Sequence, residues 1–127
     1  MNKDLEKLAK NLYKQMFNEE LKIPVMFNSR FSNTYGQVTS YCQSNTYLVE
    51  KLEISTCLRN NMDLLIFILK HELIHVWLTS KKGIHGHGKE FRALANKMGI
   101  FTINPRTGKK SYLVTYTDKN EKPLKEV

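Results

Sequence analysis

The stretch from Met62 to Ser80 is apolar around nearly every side of a helical projection, yet its middle reads His71-Glu72-Leu73-Ile74-His75. A helix apolar on all faces belongs at the centre of a domain. Burying two imidazoles and a carboxylate there without partners would cost on the order of several kcal/mol. Any fold open to this chain must therefore bring those groups a partner. Histidines four residues apart leave one face of an α-helix, so both rings can reach a single ion. Glu72 lies about 100° around the helix from His71, too far round to be a comfortable ligand beside both rings but placed to hydrogen-bond a water. Zinc held by three protein groups keeps a position for that water and lowers its pKa to about 7, which lets Glu72 take its proton.

A third ligand is required, and the loop Gly83-Ile84-His85-Gly86-His87-Gly88 offers His85 and His87. His87 directly precedes a helix signal: Phe91, Leu94, Ala95 and Met98 fall on one face, with Gly99 as the stop. A ligand carried on a rigid element is better placed than one in a loose loop, so His87 leads. His85 reads as a solvated or outer partner, and Glu90 remains an alternative third ligand from the helix itself.

At 127 residues the chain is sized for one domain. Leu5, Leu8, Leu12 and Met16 follow helical spacing and predict a first helix over about 3–18. Ile23 to Asn28 predicts a strand beside Pro24, followed by turns at Asn28, Ser29 and Asn33. Tyr35–Tyr41 and Tyr47–Ser55 read as a hairpin around Gln43-Ser44-Asn45, which with the preceding strand makes a three-stranded antiparallel sheet. Asn60 or Asn61 is the expected N-cap of the central helix, Asp63 favours its first turn, and Gly83 ends it. Beyond Asn104–Gly108, which is turn material, Ser111–Thr117 predicts a last strand.

Twenty basic against twelve acidic residues give a net charge of +8, and the excess is lopsided. Residues 1–63 hold eight basic and seven acidic side chains, while residues 64–127 hold twelve and five. An anion-binding surface is therefore expected in the second half, from Lys81, Lys82, Lys89, Arg92, Lys97, Arg106, Lys109 and Lys110, with Tyr112 and Tyr116 able to stack on unpaired bases. Cys42 and Cys57 form no CxxC pair and read as free core thiols. The first ten residues lack a secretory hydrophobic stretch, and the longest apolar run, Leu64–Leu69, is too short to span a bilayer. Both point to an intracellular protein, cytoplasmic or associated with the nucleoid, with no membrane partner.

The HExxH segment followed by Gly86-His87-Gly88-Lys89-Glu90-Phe91 resembles the SprT-like domain of the SprT/Spartan metalloproteases, in which HExxH precedes a GHGxxF-type segment. Upstream, Asn28-Ser29-Arg30-Phe31, Gly36 and Leu52-Glu53-Ile54-Ser55 are similar to that family's pattern, so the likeness covers roughly residues 20 to 100. The resemblance implies a zincin-like α+β single domain with an N-terminal helix, a small antiparallel sheet, the buried HExxH helix and a following helix. That domain would span residues 1–117, with 118–127 as a charged flexible tail. It further implies one Zn2+ on His71, His75 and His87, Glu72 as general base, and cleavage of proteins bound or crosslinked to DNA. Many members follow this domain with a zinc ribbon, whereas Tyr112–Asp118 carries no cysteine, so a minimal form without the ribbon is expected. Two other functions fit part of the pattern: a DNA-binding module with a structural zinc, and an inactive scaffold that binds a partner protein. A structural zinc closes its fourth position with a protein ligand and has no use for Glu72, which favours the enzyme.

Overall fold

Amphipathic spacing in the first helix decides where the domain begins to close. In a computed structural model, which describes residues 2–31, 34–112, 115–117 and 123–126, helix α1 (Asn2–Phe17) buries Leu5, Ala9, Leu12 and Tyr13 on one side. That stripe packs against strand β1 (Val25–Asn28) and the central helix α2 (Met62–Lys82). Strands β2 (Gly36–Gln43) and β3 (Thr46–Ser55) form the hairpin, joined through Ser44 and Asn45, both with positive φ. Such a two-residue turn matches the twist of the strands it joins. Of the expected turn residues, Asn33 lies outside the described residues.

The architecture is α+β and zincin-like, but the sheet is mixed. Its order is β1-β3-β2, with β2 antiparallel to β3 and β1 parallel to it, Val25 opposite Leu52 and Asn28 opposite Ser55. The all-antiparallel expectation assumed that strands adjacent in sequence are adjacent in space, a tendency that has many exceptions. Here the chain between β1 and β2 leaves one strand width free, about 4.8 Å on either side, and β3 folds back into the gap. As a result β2 becomes an edge.

Asn61 rather than Asn60 caps α2, its Oδ1 accepting from the Leu64 amide at 3.2 Å. The helix ends at Gly83 in the left-handed region (φ 64°), where the Gly83 and Ile84 amides donate to the Thr79 and Leu78 carbonyls. Because α2 is apolar all round, it serves two cores. Leu65, Ile68, Leu69, Leu73 and Val76 join α1 and the sheet, while Ile74 and Leu78 pack with Phe91 and Ala95 of helix α3 (Lys89–Met98) and with Ile100. Phe17 of α1 stacks on Trp77 with ring centroids 5.0 Å apart.

After α3 the expected strand over 111–117 is divided. Short strand β4 (Thr102–Ile103) pairs with β5 (Lys110–Ser111) across a turn in which Asn104 Oδ1 accepts from the Arg106 amide, and β6 (Thr115–Thr117) pairs with β7 (Pro123–Glu126). Leu113 and Val114 lie outside the described residues, as do 118–122 and 127 of the expected tail. The two cysteines are free, yet both are exposed instead of core: Cys42 is near the hairpin tip and Cys57 is in the 3-10 turn (Thr56–Asn60) before α2. Among the described residues no helix is long and apolar enough to cross a membrane.

Leu69 is fully buried where α2 meets α1 and the sheet. Leu69→Ala should lower unfolding free energy by about 2–5 kcal/mol, against about 1 kcal/mol for the cap variant Asn61→Ala. Urea unfolding of the two variants checks that ranking.

Candidate metal centre

His71 and His75 leave one face of α2, and the loop between α2 and α3 returns His87 to the same point. His75 Nε2 and His87 Nε2 are 3.2 Å apart, and His87 Nε2 and His71 Nε2 are 3.3 Å apart. Three nitrogens bound tetrahedrally at about 2.0–2.1 Å from one ion would be about 3.3 Å from each other, so both spacings to His87 suit a zinc-sized ion. The donor set could hold a metal, with His71 buried and the other two rings half-buried.

Phe91 supports all three rings. It stacks on His75 with centroids 4.5 Å apart and meets His71 at 5.0 Å and His87 at 4.8 Å in T-shaped contacts. One turn into α3 and fully buried, it couples the helix that carries two histidines to the helix that follows the third. Arg92 Nε donates to the His87 carbonyl at 3.1 Å and holds the loop down from the same helix.

Glu72 is 3% exposed, and its Oε1 has no hydrogen-bond partner among the described residues. Burial pushes its carboxyl up to about 8. The same burial, reinforced by the neighbouring charges of His71, His87 and His85, pushes the His75 imidazole well below its ordinary value. A cation among these groups would reverse the cost of ionising Glu72, which is a second sign that the site suits a metal. Gly36 makes room for the carboxylate: a Cβ there would sit 3.2 Å from Glu72 Cγ and 3.2 Å from Ile54 Cδ1.

The site opens into a cavity of about 380 Å3. Gly36, Val38 and Ser40 of β2 form one wall, and Glu72, His75 and the His85–His87 loop form the other. Of the candidate third ligands, His87 joins His71 and His75, His85 lines the cavity outside that group, and Glu90 is exposed on the first turn of α3. All eight basic candidates, Lys81, Lys82, Lys89, Arg92, Lys97, Arg106, Lys109 and Lys110, are exposed. Several are already engaged: Lys81 pairs with Glu19 at 3.0 Å, Lys110 lies 4.4 Å over the Phe101 ring, and Arg92 lies 5.9 Å from that of Tyr112. Tyr112 is half-buried and bonds Asn96, while the Tyr116 side chain lies outside the described residues. Sequence reasoning read Phe91 as core and gave Gly36 no function. The signals for Phe91 were its place one turn after His87 and its position as the last residue of the GHGxxF-type segment.

The SprT-like family model matches residues 5–110. Over 105 residues, 76% of this chain, the sequence is 32% identical to the Drosophila melanogaster protein named germ cell nuclear acidic protein. The chain spans only 9% of that protein's length. No solved structure matches it.

With the metal absent, the carboxyl raised to about 8 favours the folded chain while protonated and opposes it once ionised. Stability contributed by this group is therefore lost as pH rises from 4.5 through about 8. His75, whose pKa is lowered, works in the opposite sense below 6.5. Between pH 6.5 and about 8 the Glu72 trend sets the expected direction. The metal-free protein should be less resistant to urea at pH 8 than at pH 6.5, and Glu72→Gln should flatten the difference.

Proposed function

Because the chain belongs to the SprT-like family, we propose that it is a zinc-dependent endopeptidase. The observation that carries this reading is the three-nitrogen cluster spaced for one ion, with a buried, partnerless carboxylate oxygen beside it and an open cavity in front. His71, His75 and His87 would hold the ion. When bound, zinc supplies Lewis acidity that lowers the pKa of a water to about 7 and polarises a carbonyl. Glu72 takes a proton from the attacking water on its carboxylate while the water oxygen bonds to the carbonyl carbon. It then delivers that proton to the amine nitrogen as the C–N bond breaks. The edge of β2 along the cavity suits an extended peptide, which can add as a further strand.

A group of three histidines among the described residues, with a base beside them, favours an open catalytic site over a closed structural one. Purified chain should hold one zinc per molecule and cleave an unfolded protein, and Glu72→Gln should keep the zinc while losing nearly all cleavage. Zinc-loaded wild type with no proteolysis, or undiminished cleavage by the variant, would overturn the assignment.

The substrates proposed are proteins bound or crosslinked to DNA, held near the site by the exposed basic side chains of the second half. Support comes from Lys89, Arg92 and Lys97 of α3, a helix that begins two residues after His87, and from Lys110 beyond it, all of them exposed. Affinity for DNA should drop about tenfold or more between 50 and 200 mM salt if several phosphates are contacted. Fluorescence anisotropy with a labelled oligonucleotide measures it, and absence of binding at low salt removes DNA from the proposal.

A further inference from the structure

Peptide hydrolysis must activate a water and stabilise the negative charge that moves onto the carbonyl oxygen; Glu72 serves the first, and a metal on the histidine cluster would supply part of the second. The rest of that stabilisation calls for a preorganised donor aimed at the oxygen. Two of the hydroxyls on the cavity wall are already committed, Thr34 Oγ1 to the Gly36 carbonyl and Thr79 Oγ1 to the Ile84 carbonyl, each at 3.2 Å. His85 lies on the same wall, exposed, outside the metal-ligand group, two residues before His87.

Its position is unusually well held for a loop residue. The Ile84 amide donates to the Leu78 carbonyl at 3.2 Å while the Ile84 carbonyl accepts from Thr79, so the backbone entering His85 is tied on both polar groups to the last turn of α2. The ring itself meets Tyr47, near the start of β3, edge to face at 4.6 Å between centroids and 74° between planes. Tyr47 is in turn fitted against Gly83, where an added Cβ would lie 3.0 Å from Tyr47 Cδ2. The hairpin thus reaches over the loop and fixes an imidazole at the cavity wall, an arrangement a merely solvated histidine would not need.

We propose that His85 is a catalytic residue of the hydrolysis proposed above, donating an imidazole N–H to the carbonyl oxygen as it gains charge, with Tyr47 as its positioning residue. The inference rests on the endopeptidase reading. As the water oxygen bonds to the carbonyl carbon, the C=O π pair moves onto the oxygen that His85 faces. When the C–N bond breaks that pair returns, and the proton held by Glu72 goes to the amine, so His85 gives and takes no proton. Tyr47 acts through its ring contact, which makes its hydroxyl dispensable.

The test uses the zinc-loaded chain, a quenched fluorescent peptide derived from casein, a phosphinic peptide as a mimic of the charged tetrahedral carbon, and zinc affinity by competition with a chelating dye. His85→Ala should lower kcat about 100-fold and weaken phosphinic peptide binding by a similar factor. KM should stay within about threefold and zinc affinity should be unchanged. Tyr47→Phe should behave as wild type, Tyr47→Ala should lose about tenfold in kcat, and the double variant Tyr47→Ala/His85→Ala should be no worse than His85→Ala. Wild-type kcat and phosphinic peptide affinity in His85→Ala would overturn the proposal while leaving the endopeptidase reading intact, and loss of zinc affinity in that variant would overturn it by making His85 a ligand. Multiplying losses in the double variant would overturn the role of Tyr47. A wild type that holds zinc but neither cleaves nor binds the phosphinic peptide overturns the endopeptidase reading and this proposal together.

Discussion

Keeping His71 and Glu72 out of water inside α2 is the constraint around which the rest of this domain is arranged. Both are almost fully buried in the helix that also supplies Leu65, Ile68, Leu69, Leu73 and Ile74 to the core. Ionisable groups at such a position must be matched by other polar or metal contacts, or the fold loses the energy its apolar neighbours contribute. The answer comes from outside the helix. His87 arrives across a short loop, Phe91 packs under all three rings, and Gly36 leaves space for the carboxylate.

This makes the site a joint between two packing units. One core joins α1, the sheet and one side of α2, and the other joins the far side of α2 to α3. The histidine cluster lies where the second unit meets the first, so the geometry of the nitrogens depends on the packing of α3 as much as on α2. Two of its histidines sit on a rigid helix, and the third, on the loop, is held from α3 by Phe91 and Arg92. Its open side faces β2, whose edge is free because β3 occupies the middle of the sheet.

Periodicity made α1 and α3 legible, while α2 was legible from its long apolar run between an asparagine cap and a glycine stop, and the stops at Gly83 and Gly99 follow from their left-handed backbones. The hairpin was legible for a similar reason, through β-branched and aromatic runs around a polar turn. Strand order was not. The parallel partner of β1 comes from a contact between residues 25–28 and 52–55, and nothing in either segment states its partner or direction. The division of the expected last strand between two partners, and the exposure of Cys42 and Cys57, have the same origin: each depends on what lies opposite.

By itself the sequence determined that two imidazoles and a carboxylate would share a buried helix, because spacings of one and four residues place side chains by helical geometry alone. It put His87 first as the third member of the cluster, with His85 and Glu90 as alternatives, because a six-residue loop can orient either histidine and the helix after it carries the glutamate. Only the tertiary structure decided among these, by seating α3 so that His87 reaches the other two rings while Glu90 faces solvent and His85 turns to Tyr47. The physical reason is range. Helical periodicity is set by bonds between near neighbours, whereas the choice of ligand, the free edge of β2 and the space beside Gly36 are set by packing between segments far apart in the chain.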